Sequence, residues 1–334
     1  MAIGFTNIPQ NGASYQKPLI YEFLSSDEIE QVEIRILTNN GEEIARKVIH
    51  GTMTKGKIDI APYVRRAVKH NIPQSVTNCN VIDIGGSITI SVQIEDALSE
   101  ERVFMAASVD LTQPITLLTN QNTKRTFTID EFDMIGFVNT TTKPIDIMIE
   151  LCDDTYGCMM YRTFSSAEPF RPKAICVTAQ EFSKELLAIA KYMLVKMQHD
   201  GNRFDFIEYD IRNNLSTARR IGWLNEYGAP ELYTFPLRKS LLIEATRKHM
   251  ESIWGREAAE LESDNELKMI SAYEPQKQLQ ELAKIVTSPK VWLQQNNGQQ
   301  AVSLMTDRVL LTPGTGLGFV ELDLRAAEKG VKLW

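Results

Sequence analysis

Val32-Glu33-Ile34-Arg35-Ile36 alternates apolar and charged side chains, and Asn39-Asn40-Gly41 follows. A period of two places Val32, Ile34 and Ile36 on one face of a half-buried strand. Asn-Gly supplies the positive-φ positions of a tight hairpin turn, so a return strand is expected over 44–50. Working outward, Lys55-Gly56 marks another turn, and Ile58-Asp59-Ile60 leads into a short helix over 61–68. Asp59 is the expected N-cap, and Pro62 suits an early helical position where its missing N–H costs nothing. The helix should stop before Asn71-Ile72-Pro73. Ile88, Ile90, Val92 and Ile94 then alternate with Thr89, Ser91 and Gln93, with a partner strand over 102–109. These elements predict a β-sandwich over 1–113.

A second β-rich unit is expected over 114–236, starting at Gln113-Pro114. Its strand candidates are 126–129, 133–138, 145–152 and 158–164, the last two joined through Asp153-Asp154-Thr155-Tyr156-Gly157. Thr178-Ala179-Gln180-Glu181 has capping-box spacing, which predicts a short helix through about 188. His199-Asp200-Gly201-Asn202 reads as a hairpin turn, so 192–198 is assigned to strand. Residues 219–224 and 231–235 pair across Asn225-Glu226-Tyr227-Gly228 and close the unit.

The third region, 237–334, is expected to mix helix and β-hairpin. Over 237–274 two readings stay open: a helix, on which Ile243, Thr246, Met250, Ile253 and Trp254 would share a face with Gly255 as its stop, or strands, because Leu267, Met269 and Ser271 fit one side of a ribbon. Glu274-Pro275 opens a clearer helix carrying Leu279, Leu282, Ala283 and Val286 on one face, ending at Ser288-Pro289. Two terminal hairpins follow. The first joins 291–294 to 301–305 across Asn297-Gly298, and the second joins 308–311 to 319–325 across Pro313-Gly314. The fold class is therefore mainly β: two consecutive β-sandwich-like units, a mixed segment and C-terminal β-hairpins.

Composition bears on function mainly by exclusion. Among 334 residues, 36 Lys and Arg face 43 Asp and Glu, a net charge of −7. A strong nucleic-acid binder shows the opposite sign, so DNA is expected at most as a passing non-specific contact. The apolar run at 186–190 is far too short to span a bilayer. Met1-Ala2-Ile3-Gly4-Phe5 has neither a basic n-region nor a long apolar stretch, so no export signal is read there. The four cysteines, Cys79, Cys152, Cys158 and Cys176, form no C-x-x-C pair, and reduced, ordinary thiols are expected. A bridge between Cys152 and Cys158 is compatible with the intervening turn. No metal or cofactor is expected from the scattered His50, His70, His199 and His249.

No catalytic residue is assigned. Gly314-Thr315-Gly316-Leu317-Gly318 lacks the Lys-Ser/Thr ending and the following helix of a phosphate loop, and is read as a hairpin tip. The carboxylates Asp130, Glu131 and Asp133, and Asp153 with Asp154, are read as turn residues rather than an acid–base pair. Trp223, Tyr227, Tyr233 and Phe235 are read as a hairpin core, a sugar platform being the alternative.

Ile221-Gly222-Trp223-Leu224-Asn225-Glu226-Tyr227-Gly228-Ala229-Pro230-Glu231-Leu232-Tyr233-Thr234-Phe235 resembles a segment of tail-region structural proteins of Bacteroidetes phages and prophages, with Trp223 where Phe is usual. Ser288-Pro289-Lys290-Val291-Trp292 behind a short helix is similar to a second such element. Gly56 leading to Ile58-Asp59-Ile60-Ala61-Pro62 is similar to a third. The resemblance implies a non-enzymatic virion component of tail, neck or baseplate. Such a protein would assemble as a ring of identical copies in the bacterial cytoplasm and contact neighbouring tail proteins. The alternative is a carbohydrate- or receptor-binding β-sandwich module. Gly314, Thr315, Gly316, Leu317 and Gly318 are the candidate interface residues.

Overall fold

The computed structural model describes residues 2–109, 112–212, 218–252, 255–295, 298–311, 316–326 and 330–333. The chain is mainly β, as its alternating segments require, and its strands form four sheets.

The first third of the chain supplies β1 (Ile3–Asn7), β2 (Ala13–Ser14), β3 (Ile20–Thr38), β4 (Glu43–Asp59), helix α1 (Ala61–Ala67), β5 (Asn80–Asp83), β6 (Ser87–Ile94), β7 (Ala97–Leu98) and β8 (Arg102–Met105). All of these strands except β5 make one seven-stranded sheet. The period-two pattern has the expected consequence: Val32, Ile34 and Ile36 are buried with Ile90, Val92, Ile94 and Phe104, and Ala61 and Val64 of α1 join the same core. Asp59 works one residue ahead of the formal cap Ile60, its Oδ1 accepting from the amides of Ala61 at 3.0 Å and Leu19 at 2.9 Å. The strand expected over 102–109 ends at Met105.

The middle of the chain forms β9 (Ile115–Leu117), β10 (Lys124–Thr128), β11 (Phe132–Asn139), β12 (Ile145–Cys152), β13 (Cys158–Ser166), β14 (Pro172–Thr178), α2 (Lys184–Leu187), β15 (Tyr192–His199) and β16 (Asn202–Arg212). A five-stranded sheet, β10-β16-β15-β12-β13, and a four-stranded sheet, β5-β14-β11-β9, enclose a core that includes Phe127, Ile135, Phe137, Ile149, Val195 and Tyr209. β5 thus leaves the first third of the chain and pairs with β14, Val81 opposite Ile175. The expected capping-box helix is replaced by a 3-10 turn, Ala179–Glu181, and the one-turn α2. Thr178 does cap, accepting from the Gln180 amide at 3.3 Å. Glu181 reaches away instead, to the Cys79 amide at 2.7 Å and Arg162 Nε at 2.6 Å. A long-range ion pair has outcompeted the local cap.

The last third contains β17 (Arg219–Leu224), β18 (Pro230–Phe235), β19 (Leu237–Ser252), β20 (Gly255–Ile270), α3 (Gln276–Ala283), β21 (Val291–Gln295), β22 (Gly298–Leu304), β23 (Glu321–Ala326) and β24 (Gly330–Leu333). They form one eight-stranded sheet in the order β18-β17-β21-β22-β23-β20-β19, with β24 also on β20. Of the two readings open for 237–274, the structure takes the strands, an antiparallel ribbon with Leu237 opposite Ile270 and Ser252 opposite Gly255; Ile253 and Trp254 lie outside the described residues. Residues 308–311 form no strand, and β23 pairs with β20 and β22 instead, so the second terminal hairpin is absent as drawn. Pairing also assigns β17 and β18 to this sheet rather than to the unit before it.

A further core lies where the three parts meet. Met105 and Ala107 from the first, Phe132, Met134 and Cys176 from the second, and Ala229, Leu232 and Trp292 from the third pack together. This explains why every residue of β11 is buried: its odd- and even-numbered side chains face two different cores.

Candidate functional site

The sequence singled out Asn225-Glu226-Tyr227-Gly228, and the fold places this turn at the three-part junction. Asn225 Oδ1 accepts from the amides of Tyr227 at 2.9 Å and Ala229 at 3.0 Å, which closes the turn locally. Gly228 sits at φ +74°, where a Cβ would also lie 3.0 Å from Ala106 and 3.1 Å from His70, so glycine is required twice over. The outward-reaching groups then tie the parts together. Asn225 Nδ2 donates to the Leu118 carbonyl at 2.7 Å and to Glu231 at 2.8 Å. Tyr227 is hydrogen-bonded to Asn120, and Glu226 accepts from Lys284 at 2.7 Å. The motif is therefore a fastener.

Beside it, a buried polar network bridges β10, β11 and β16 to β17 and β18. Asp133 accepts from Arg125 at 3.0 Å, Arg220 at 3.0 Å and the Tyr209 hydroxyl at 2.8 Å. Arg220 donates to Thr234 at 2.7 Å, and Thr234 donates to Glu131 at 3.0 Å. Burial holds the Tyr209 hydroxyl far above its usual range, and Asp133 adds to this. Burial also raises the Glu231 carboxyl, against the opposing pull of Arg125 and the Gln121 and Asn225 amides. Opposite charges here satisfy one another, which is what keeping them out of water demands.

A cleft of about 600 Å³ opens above this network, with Tyr233, Tyr273 and Glu274 on its wall. Tyr233 donates to Glu274 at 2.8 Å, and Tyr273 is 71% exposed. The carboxylates weighed as acid–base candidates divide between two structural settings. Glu131 and Asp133 belong to the network. Asp153 closes its own turn, accepting from the Thr155 amide at 2.9 Å and the Gly157 amide at 2.8 Å. Among the described residues, no group of three His, Cys, Asp or Glu side chains could hold a metal ion. No helix among them is long and apolar enough to cross a membrane.

Trp223 is 1% exposed and Phe235 is fully buried, while Tyr233 is half-buried and meets Phe235 edge-on at 5.1 Å between ring centres. Of the candidate interface residues, Gly314 and Thr315 lie outside the described residues. Gly316 is open to its surroundings and Leu317 is 66% exposed. Gly318 is anchored: it exchanges backbone hydrogen bonds with Glu274 at 2.8 and 3.0 Å. Two long strand edges are open as well. β4 pairs only with β3, and β19 only with β20, among the described residues. β4 runs 17 residues, straight through the turn expected at Lys55-Gly56, and β19 runs 16.

No family model and no curated protein matches the chain. Among solved structures, the BSP domain of a biofilm-associated protein aligns with 64% of this chain and 30% of its own, at 10% identity and a TM-score of 0.19. A complex of Dpr2 Ig1-Ig2 with DIP-Theta Ig1-Ig3 aligns over 98% and 90% of the two chains, at 7% identity and a TM-score of 0.21. Trypsin-activated alpha-2-macroglobulin from Escherichia coli aligns over 99% of this chain and 21% of that one, at 8% identity and a TM-score of 0.19. At that level these likenesses carry no argument about what the chain does.

Proposed function

We propose that the protein is a non-catalytic structural component of a phage virion, in the tail, neck or baseplate, assembling as a ring of identical copies. The observation that carries this reading is the pair of long ribbons, β3–β4 and β19–β20, each with its outer strand unpaired on one side among the described residues. An unpaired edge is a row of backbone donors and acceptors, which a folded protein must either block or use. At about 3.3 Å per residue, each outer strand is ~50 Å long, far more than protection of a small sheet needs. Pairing with a strand from a neighbouring copy supplies the missing hydrogen bonds. The three segments similar to phage tail proteins support the same reading. The net charge of −7 also suits a wall that does not hold passing DNA. The partners are other copies and adjacent tail proteins, and the place of action is the virion.

The carbohydrate-binding alternative rested on Trp223 and Tyr227 as an exposed platform. Trp223 is buried and Tyr227 is half-buried with its hydroxyl engaged, so those residues do not supply one. The deciding experiment is the mass of the purified protein by light scattering, followed by two-dimensional class averages. Closed rings of many copies are expected. A stable monomer across the accessible concentration range overturns ring assembly, and turnover of a glycan or ester by that monomer overturns the structural reading as well.

A further inference from the structure

Cys152 ends β12 and Cys158 begins β13, and the two residues are directly opposite one another in the antiparallel register. The turn between them fixes the geometry. Asp153 N–H donates to the Gly157 carbonyl at 3.1 Å, and Tyr156 N–H donates back to the Asp153 carbonyl at 3.3 Å. Gly157 N–H turns instead to the Asp153 carboxylate, and the register shifts between Leu151 and Cys152, so 152 and 158 face each other between the turn and a bulge. Directly opposed residues of an antiparallel pair have Cα atoms about 4.5–5.5 Å apart and side chains on one face. That separation lies within the roughly 4.4–6.8 Å span of disulfides.

The surroundings of the two thiols differ. Cys158 is exposed and Cys152 is fully buried. Tyr192 lies opposite Cys152 on its other side, and the Tyr156 ring stacks on Tyr192 at 4.5 Å with planes 1° apart. Tyr156 holds φ +64°, an uncommon conformation for a bulky side chain. The turn therefore accepts backbone strain at the position whose ring stacks on the neighbour of Cys152. The remaining cysteines are in different settings: Cys79 and Cys176 are buried in two different cores.

We propose that Cys152 and Cys158 form a disulfide site, closing into an intrachain bridge when the folded protein meets a low-molecular-weight disulfide such as oxidised glutathione. Exposed Cys158 reacts first. Its thiolate attacks one glutathione sulfur, forms a mixed disulfide and releases one glutathione thiolate. The Cys152 thiolate then attacks the Cys158 sulfur, forming the protein S–S bond and releasing the second glutathione. The two protein thiols lose two electrons and two protons, and oxidised glutathione gains both to become two reduced molecules. Burial pushes the Cys152 thiol up to about 11, with Cys158 adding to the shift, so closure of the bridge accelerates with pH.

The test treats the folded full-length chain with oxidised glutathione, quenches with acid, alkylates the remaining thiols in denaturant and maps the peptides. The expected result is a peptide linked through Cys152 and Cys158, with Cys79 and Cys176 alkylated, reversed by dithiothreitol. Cys158→Ser should abolish the linked peptide. Tyr156→Gly relieves the positive φ and removes the stacked ring, so it should bridge several-fold faster. A mixed disulfide that persists on Cys158 while Cys152 remains alkylatable overturns the proposal. Equal loss of all four thiols also overturns it, because that pattern marks oxidation of unfolded chain.

Discussion

Position 222 shows how tightly single residues are specified. Gly222 lies opposite Trp292 in the β17–β21 register, and a methyl group there would sit 2.2 Å from the indole. The indole has taken the space over the glycine, and β17 cannot move away because β18 holds its other edge. Gly222→Ala should cost about 1–3 kcal/mol, the range for overpacking, measured as a lower urea midpoint with an unchanged slope. His70 makes a different prediction. Burial pushes its imidazole below the usual 6.5, against the opposing contact with the Gly228 backbone. The folded state then binds fewer protons than the unfolded state, so stability is full above pH 6.5 and falls as pH drops below it. His70→Gln should flatten that part of the melting-temperature profile relative to the wild type. Parallel profiles would show that His70 does not couple the junction to pH.

At the scale of elements, the ribbons and the terminal loop allow the proposed assembly to be tested apart from folding. Replacing residues 247–261 with Asn-Gly would close the β19–β20 ribbon on its Thr246–Glu262 pair and leave the β20–β23 pairing at Glu266–Ile270 in place. The melting temperature should change little, while light scattering should show loss of the ring. Intact assembly would remove this ribbon from the interface. The loop containing Leu317 needs a gentler probe than deletion, because Gly318 is bonded to Glu274 and a Cβ there would approach Leu279 at 2.9 Å. Leu317→Glu puts a charge on a side chain that is 66% exposed. It should leave folding unchanged and weaken assembly, and an unchanged oligomer mass would clear the loop of that role.

At the scale of the whole molecule, a shared junction core joins the three parts. β5 lends a strand to the second unit, and Met105 and Ala107 pack with Trp292 of the third. A chain cut at the expected boundary would leave β5 without the strand it pairs with and leave apolar side chains in water. Residues 1–113 expressed alone should therefore lack a cooperative thermal transition by circular dichroism, whereas the full chain should show one. A sharp transition in the fragment would mean that the junction core adds little to the first unit.

Legibility in the sequence followed the range of the interactions involved. The alternation through Val32, Ile34 and Ile36 determined a buried strand face, because period two follows from the backbone and needs no partner to be recognised. The Asn225–Gly228 turn and α3 behind Pro275 were legible for the same reason: their hydrogen bonds close within a few residues. The preference for burying Trp223 was legible from its ring alone. Only the tertiary structure decided that Asn80–Asp83 joins β14, that Arg219–Phe235 belongs to the C-terminal sheet, and that 237–252 is strand. It also decided that Glu181 serves Cys79 and Arg162. Backbone edges are chemically alike, so any strand can satisfy any other. Which pairs form depends on which apolar faces can be covered together, and that is a property of the assembled chain.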